Sequence, residues 1–351
     1  MDDWMIYGAT GYTGEKIARK AVALGMRPVL AGRGENVRRL AAELGLPVRT
    51  FALGDAAGTR QALQGLRLVL NCAGPFSATA APMVEACMQA GAHYLDITGE
   101  INVFEMVFSR DAAARARGVL LCPGVGFDVV PTDCIAAALK AALPDASELA
   151  LGFDTDSPLS PGTAKTLLEG APLGGKVRRN GSIIDVPLGY HQRRIDFGRG
   201  ERHAVTIPWG DVSTAFRTTG IPNIACYLPM LPLLGRLTRW SNWSRGALGW
   251  GWVRRWLTGV IERKVHGPDA QQIATLGTHV WGEARNARGE VRTARVRVAN
   301  GYGLTVDAAL EITRHVLARK DGLPGGFTTP ALLCGAGLVE RLPGSGAILI
   351  T

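Results

Sequence analysis

At 351 residues, 47% hydrophobic and 20% charged, the chain has the proportions of a globular protein with an ample core and room for two domains of about 150 residues each. Six cysteines without a C-x-x-C pair exclude a disulfide scaffold and read as free thiols of a reducing cytosol, and six scattered histidines without H-E-x-x-H give no support to a metal site. The net charge of +9 is concentrated, with seven Lys and Arg against one Glu in 236–264, so it describes one local surface; no nucleic-acid-binding motif accompanies it.

Three residues precede an apolar run at 4–7, which predicts that no signal or transit peptide stands ahead of it. The run predicts a strand. Gly8, Gly11 and Gly14 follow, and a helical pattern of Ile17, Ala18, Ala21, Val22 and Leu24 closes at Gly25. Strand, glycine turn and helix open a dinucleotide-binding unit. The first glycine permits a tight turn, the second lets backbone approach a pyrophosphate, and the third lets helix and strand pack closely. Unpaired N–H groups and the helix dipole then favour phosphate at the helix N-terminus. The spacing is G-x-x-G-x-x-G rather than G-x-G-x-x-G, so its place between strand and helix carries the assignment. A second strand at 28–31 ends in Gly32-Arg33, with Arg33 19 residues beyond Gly14. An acid there accepts from the ribose 2′-hydroxyl of NAD, whereas an arginine suits the 2′-phosphate of NADP. A charged hydrogen bond of this kind is worth ~1.5–3 kcal/mol. Arg33 therefore predicts NADP.

After a helix at 35–44, a short strand at 48–51 leads to Asp55. This residue either lies over an adenine or caps a helix at 56–64, and the pattern leaves both open. A strand at 66–70 runs into Asn71-Cys-Ala-Gly-Pro-Phe76, where glycine and proline keep backbone close to whatever lies at the carboxyl edge of the sheet. Helices at 79–90 and 102–117 alternate with strands at 93–97 and 119–122. The segment 123–133 then opens a helix that runs to about residue 143. Such alternation predicts a doubly wound parallel sheet of the Rossmann kind.

Five segments in order carry a resemblance: Gly8-Ala-Thr-Gly-Tyr-Thr-Gly14, Ala31-Gly-Arg33, Asn71-Cys-Ala-Gly-Pro-Phe76, His93-Tyr-Leu-Asp-Ile-Thr-Gly-Glu100 and Gly126-Phe-Asp-Val-Val-Pro-Thr-Asp133. Together they resemble the saccharopine dehydrogenase-like oxidoreductases, and in particular the branch containing trans-acting enoyl reductases. The resemblance implies an NADP-linked reductase with a Rossmann domain and an inserted α/β domain. It implies that Thr10, Gly11, Tyr12 and Thr13 line the pyrophosphate and Arg33 the 2′-phosphate. It also implies that Asn71, Ala73, Gly74, Pro75 and Phe76 approach the ribose and nicotinamide. The family often has a serine after Gly-Phe-Asp; this chain has Val129, which departs from any proton relay through that position.

From residue 148 the pattern changes. A strand at 149–153, a hairpin at 175–188 turning on Asn180-Gly181, and a second hairpin at 272–299 around 286–289 predict a second, α+β domain on a mostly antiparallel sheet. The expected division is 1–145 for the Rossmann domain, 146–303 for a substrate or dimerisation domain, and a return of 304–351 to the first. Residues 218–235 carry no charge, yet Pro222, Pro229 and Pro232 argue against a membrane-spanning helix. Five tryptophans among the basic residues of 236–264 put one apolar helical face on 252–261. Three readings stand for 240–261: a helix packed on its own domain or in a homodimer, a membrane-surface contact, or a lid over a lipid substrate. A helix at 304–320, a loop at 324–327, a helix beginning near Pro330 and an apolar run at 347–350 end the chain.

Tyr94, Glu100, Asp128 and Tyr190 are candidates for proton transfer; only Asp128 falls in a loop expected at the carboxyl edge of the sheet, where a turn or cap aspartate is the alternative. Two functions follow. One is an NADP-dependent, cytoplasmic, membrane-associated or soluble reductase of a small hydrophobic enoyl, carbonyl or imine. The other is a non-catalytic nucleotide-binding scaffold or sensor that docks to a membrane or a partner.

Overall fold

The computed structural model describes residues 3–156, 174–231, 270–319 and 322–351, with isolated positions at 256, 258–260 and 263. The chain forms two compact units, Met1–Val130 with Leu304–Leu338, and Pro131–Gly303 with Val339–Thr351.

The first unit is a parallel sheet in the order β15-β6-β5-β4-β1-β2-β3. Its strands are β1 (Trp4–Tyr7), β2 (Val29–Gly32), β3 (Val48–Thr50), β4 (Leu68–Asn71), β5 (His93–Asp96), β6 (Leu120–Cys122) and β15 (Gly326–Phe327). Without β15 this is the 3-2-1-4-5-6 order of a dinucleotide-binding sheet. Strands β1, β2, β4 and β6 are buried along their whole length, as a sheet covered on both faces requires. The connecting helices are α1 (Tyr12–Ala23), α2 (Glu35–Leu44), α3 (Ala56–Ala62), α4 (Phe76–Ala90), α5 (Ile101–Phe108) and α6 (Asp111–Ala116). In place of one helix over 102–117 the chain makes two, broken at Ser109-Arg110. The stretch 324–327, expected as a loop, adds β15 to the sheet edge beside β6.

The second unit begins with α7 (Val130–Ala142), which packs on the second sheet. A Cβ at Gly282 would stand 2.5 Å from Ile135 and 2.9 Å from Leu139, one helical turn apart on α7. Contact with that sheet is why the division falls at residue 130, ahead of the change in sequence pattern. The sheet runs β10-β11-β12-β7-β13-β14-β16, and the hairpin of β8 (Gly175–Arg179) and β9 (Ser182–Val186) is attached through β12. The other strands are β7 (Ala146–Thr155), β10 (Gln192–Asp196), β11 (Glu201–Ile207), β12 (Asn223–Pro229), β13 (Thr278–Asn286), β14 (Val291–Val298) and β16 (Leu349–Ile350). All pairings are antiparallel except β12 with β7. Asn180 and Gly181 both take positive φ, 48° and 78°, which closes β8 on β9 in the two-residue turn expected there. Residues 272–275, expected as the start of a strand, belong to a short helix, α9 (Ala270–Thr275). Residues 223–229 are a strand rather than any part of an apolar span. Helix α8 (Asp211–Thr219) stands before it and α10 (Gly301–Ala318) follows β14; α11 (Pro330–Cys334) is capped by Thr329, whose hydroxyl accepts from Leu332 N–H. The residues 339–351 belong with this unit, where β16 pairs with β14.

The tryptophan-rich segment 236–264, including the surface expected over 240–261, lies outside the described residues apart from the isolated positions above. Among the described residues no helix is long and apolar enough to cross a membrane.

Candidate functional site

In an open parallel sheet the ligand crevice lies at the carboxyl ends of the strands, where the strand order reverses. Here that point falls between β1 and β4. Gly8, directly after β1, has φ +79°, and a Cβ on it would lie 2.7 Å from the Ala73 nitrogen. The turn after β1 therefore rests on the loop after β4. A Cβ on Gly14 would overlap the Gly8 carbonyl oxygen, so only glycine lets α1 seat against the strand end. Gly11 donates its N–H to that same carbonyl (3.0 Å) and stands as the N-cap of α1, with no side chain capping the helix. Amides of a first helical turn have no intrahelical partner, and the helix dipole adds to their pull on an anion. Thr10 and Gly11 are exposed, and Tyr12 and Thr13 half-buried. The Lys16 ammonium lies 4.8 Å over the Tyr12 ring and adds positive charge beside the turn.

Arg33 stands exposed just past β2. With Gly34, Glu35, Arg38, Thr50, Phe51 and Ala52 it lines a surface pocket. Among the described residues Arg33 has no ion-pair partner, whereas Arg38 is held by Glu35 (3.8 Å) and donates to the Thr50 hydroxyl (3.1 Å). A guanidinium at this strand end whose neighbouring acid, Glu35, is paired to Arg38 suits a phosphate. Asp55 caps α3, its carboxylate accepting from Gly58 N–H (3.0 Å), so the cap is the role the structure shows.

The loops after β4, β5 and β6 complete the edge. Asn71 is buried; its side-chain oxygen accepts from Ala73 N–H (3.1 Å), and its amide donates to Thr79 (3.3 Å) and Tyr94 (3.4 Å). Gly74-Pro75 is a cis peptide. The Glu100 carboxylate accepts from Phe76 N–H (3.0 Å) and Ser77 N–H (2.9 Å) and so caps α4. That contact gives Glu100 a structural task at the edge. Asp96, at the end of β5, is fully enclosed; burial pushes its carboxyl up to about 6 against the N–H groups and hydroxyl it accepts from. Asp128 follows β6, and loss of water around it likewise pushes its carboxyl up to about 6. Gly126, two residues earlier, is held close to Thr305 of α10, whose hydroxyl accepts from Phe127 N–H (3.0 Å).

The structure thus brings Gly8, Thr10, Gly11, Tyr12, Thr13, Gly14, Asn71, Ala73, Gly74, Pro75 and Phe76 to adjoining strand ends. Arg33 is one strand further out and Asp128 lies past β6. Tyr190 belongs to the second unit, where its hydroxyl accepts from Arg179 (2.8 Å). Asp96 was not among the residues singled out from the sequence. The signal was there: Tyr94 and Asp96 are two apart in a strand, hence on one face, and a tyrosine–carboxylate pair on a buried strand must bond to itself or to its loops. The glycine cradle, the bare helix start and the unpaired arginine fit a pyridine dinucleotide with a 2′-phosphate.

The sequence profile of the saccharopine dehydrogenase NADP-binding domain matches residues 4–122. The trans-acting enoyl reductase of Mycobacterium leprae is 37% identical over 144 residues, covering 37% of this chain and 34% of that protein. A probable mitochondrial saccharopine dehydrogenase-like oxidoreductase of Arabidopsis thaliana is 32% identical over 149 residues, 37% of this chain and 33% of its own. The match therefore spans about a third of the length of these curated relatives. Apo saccharopine dehydrogenase (L-Glu forming) from Saccharomyces cerevisiae superposes with a TM-score of 0.68 at 10% identity over 100% of both chains, which is a likeness of fold. Residues 4–122 are thus similar to the saccharopine dehydrogenase NADP-binding domain, which supports NADP as the nicotinamide cofactor.

Proposed function

We propose that the chain is an NADP-dependent reductase of a small hydrophobic substrate whose polarised double bond is an enoyl, carbonyl or imine. The observation that carries this reading is the meeting, at one sheet edge, of a backbone cradle for pyrophosphate with a carboxyl group raised toward neutrality. NADPH supplies a hydride when bound. The chain's own part is positional and protic. The turn 8–14 and the start of α1 hold the diphosphate, Arg33 holds the 2′-phosphate, and the loop 72–76 bounds the reactive end. Asp128, with its carboxyl near 6, retains enough proton at neutral pH to serve as a donor to the reduced substrate and is basic enough to be recharged from water. The 37% identity over 144 residues to the trans-acting enoyl reductase of Mycobacterium leprae supports an enoyl group as the first to try.

Titration of the purified chain with NADPH and NADH, followed by nicotinamide fluorescence, tests the cofactor assignment. NADPH binds more tightly, and Arg33→Ala weakens NADPH by about ten- to a hundredfold, the worth of a charged hydrogen bond, while leaving NADH where it was. Equal affinities in the unaltered chain would remove Arg33 from the site. Turnover is then read as NADPH consumption with apolar enoyl thioesters, ketones and imines.

A further inference from the structure

Three loops of the first unit converge on one enclosed side chain. The Asp96 Oδ1 accepts from Thr98 N–H (3.0 Å) and Gly124 N–H (2.9 Å), and its Oδ2 from the Tyr94 hydroxyl (2.7 Å). Its backbone carbonyl accepts from Val125 N–H (2.7 Å). The Tyr94 oxygen in turn receives the Asn71 amide, which orders Ala73. One connected set of hydrogen bonds thus ties the loop after β4 to those after β5 and β6. The tie reaches Asp128. A Cβ on Gly99 would lie 2.6 Å from Asp128 Oδ2, so the turn that Asp96 anchors at Thr98 is the wall against which the Asp128 carboxyl rests.

The chemistry demands a carboxylate. Three donors point at the two oxygens of Asp96, and an ionised carboxylate is the side chain that only accepts. An amide there turns an NH2 toward one of the three, and water cannot substitute in a pocket sealed from solvent. We propose that Asp96 is a positioning residue of the nucleotide site: one carboxylate sets the loops after β4, β5 and β6 in a single arrangement and so fixes where Asp128 stands. The proposal rests on the reading of this edge as the NADPH site.

The test compares Asp96→Ala, Tyr94→Phe and Met88→Ala with the unaltered chain. Met88 is buried at the far end of α4 and controls for lost stability alone. Amide hydrogen exchange, thermal melting and NADPH titration are measured on each. In Asp96→Ala, which removes the acceptor of both amides, exchange at Thr98 and Gly124 quickens by about tenfold or more and NADPH affinity falls by a similar factor, as orphaned buried donors require. Tyr94→Phe keeps the Oδ1 bonds, so those two amides stay protected; affinity falls severalfold because the tie to Asn71 is cut. Met88→Ala melts lower and binds NADPH as before. Asp96→Ala with unchanged exchange and affinity overturns the proposal, as does a loss of affinity in Met88→Ala that matches its loss of stability. Should Asp96→Ala not fold, Tyr94→Phe decides: unaltered NADPH affinity overturns it. Failure of the unaltered chain to bind NADPH would instead refute the site reading, while the exchange pattern at Thr98 and Gly124 still judges the role of Asp96 in the loops.

Discussion

The acids at the rim of the first sheet and those at the rim of the second are held in opposite ways. Asp96 and Asp128 lie in the first unit, the one fully buried and the other half-buried, with carboxyls pushed up by desolvation to about 6. Asp156 and Asp196 lie in the second, mostly in solvent, and are pulled below the usual range. For Asp156 the cause is the Arg199 guanidinium, which holds it through two hydrogen bonds; for Asp196 it is the Gly198 and Gly200 N–H groups (2.8 and 3.0 Å). One or two glycines from each sheet give a second contrast. In the first unit Gly8 and Gly14 press backbone on backbone, whereas Gly282 of the second faces the ends of Ile135 and Leu139. A turn built of backbone contacts, as at Gly8 and Gly14, has one shape, which a cradle for a dinucleotide requires. A contact with side-chain ends, as at Gly282, tolerates change, although Gly152 and Gly175 of the same sheet also meet backbone.

The sharpest way to break this contrast is to add one methyl group to each sheet. In Gly14→Ala the methyl meets the Gly8 carbonyl, which cannot move without opening the turn. The expected cost is about 2–4 kcal/mol, the upper range for overpacking, together with loss of measurable NADPH binding. In Gly282→Ala the methyl meets rotatable side chains, and a cost of about 1–2 kcal/mol is expected with NADPH affinity kept. Denaturant melts and NADPH titration of the two variants decide the matter. Equal losses would mean that the two rims are equally stiff.

Acid titration comes next in size. Asp96 and Asp128 bind a proton more tightly folded than unfolded. Their contribution to stability therefore falls as pH rises from about 4 to about 6 and is level above that window, by at most about 3 kcal/mol for each group. Asp156 and Asp196 run the other way: they stabilise above the ordinary value of 3.8, and that contribution is lost as pH falls through their lowered folded values. Local opening free energies from hydrogen exchange, corrected for intrinsic rates, thus rise at the first rim between pH ~7 and ~5 while the second rim holds. Only below about pH 4 does the second rim loosen. Asp128→Asn removes part of the first change, and Arg199→Ala removes part of the second. A first rim that loosens on mild acidification would contradict the burial of its acids.

The same contrast explains what could be read in the sequence. The first unit announces itself locally: a strand, a glycine turn and a helix occupy consecutive residues, and Arg33 falls at a fixed interval from Gly14. Nearly every strand of that sheet was therefore legible, and so was the glycine turn between β1 and α1. The second sheet depends on partners far apart in the chain. Strand β12 sits parallel to β7, with Asn223 opposite Glu148, and no local pattern in 218–235 points to such a partner. Strand β10 and the start of β11 are charged and partly wet while the end of β11 is buried without alternation, so no period of two shows. The β8–β9 hairpin was legible because Asn180-Gly181 encodes the turn itself. Asp96 escaped for a different reason: its function in the fold depends on Gly124, 28 residues away, and nothing in His93-Tyr-Leu-Asp marks that partner.

The smallest expected effect separates two tasks for one carboxylate. Asp55 caps α3 through Gly58 N–H, and its sequence position would also suit a place over the adenine. Asparagine caps a helix about as well as aspartate, whereas alanine loses the cap at a cost of about 1 kcal/mol. If the cap is the whole of its work, Asp55→Ala lowers stability by that amount, Asp55→Asn restores it, and NADPH affinity is the same in all three chains. A fall in affinity shared by Asp55→Ala and Asp55→Asn, with stability lost only in the alanine variant, would place the charge itself in the nucleotide site. The first rim would then reach past β2 to the turn after β3, and its rigidity would extend to the adenine end of the cofactor.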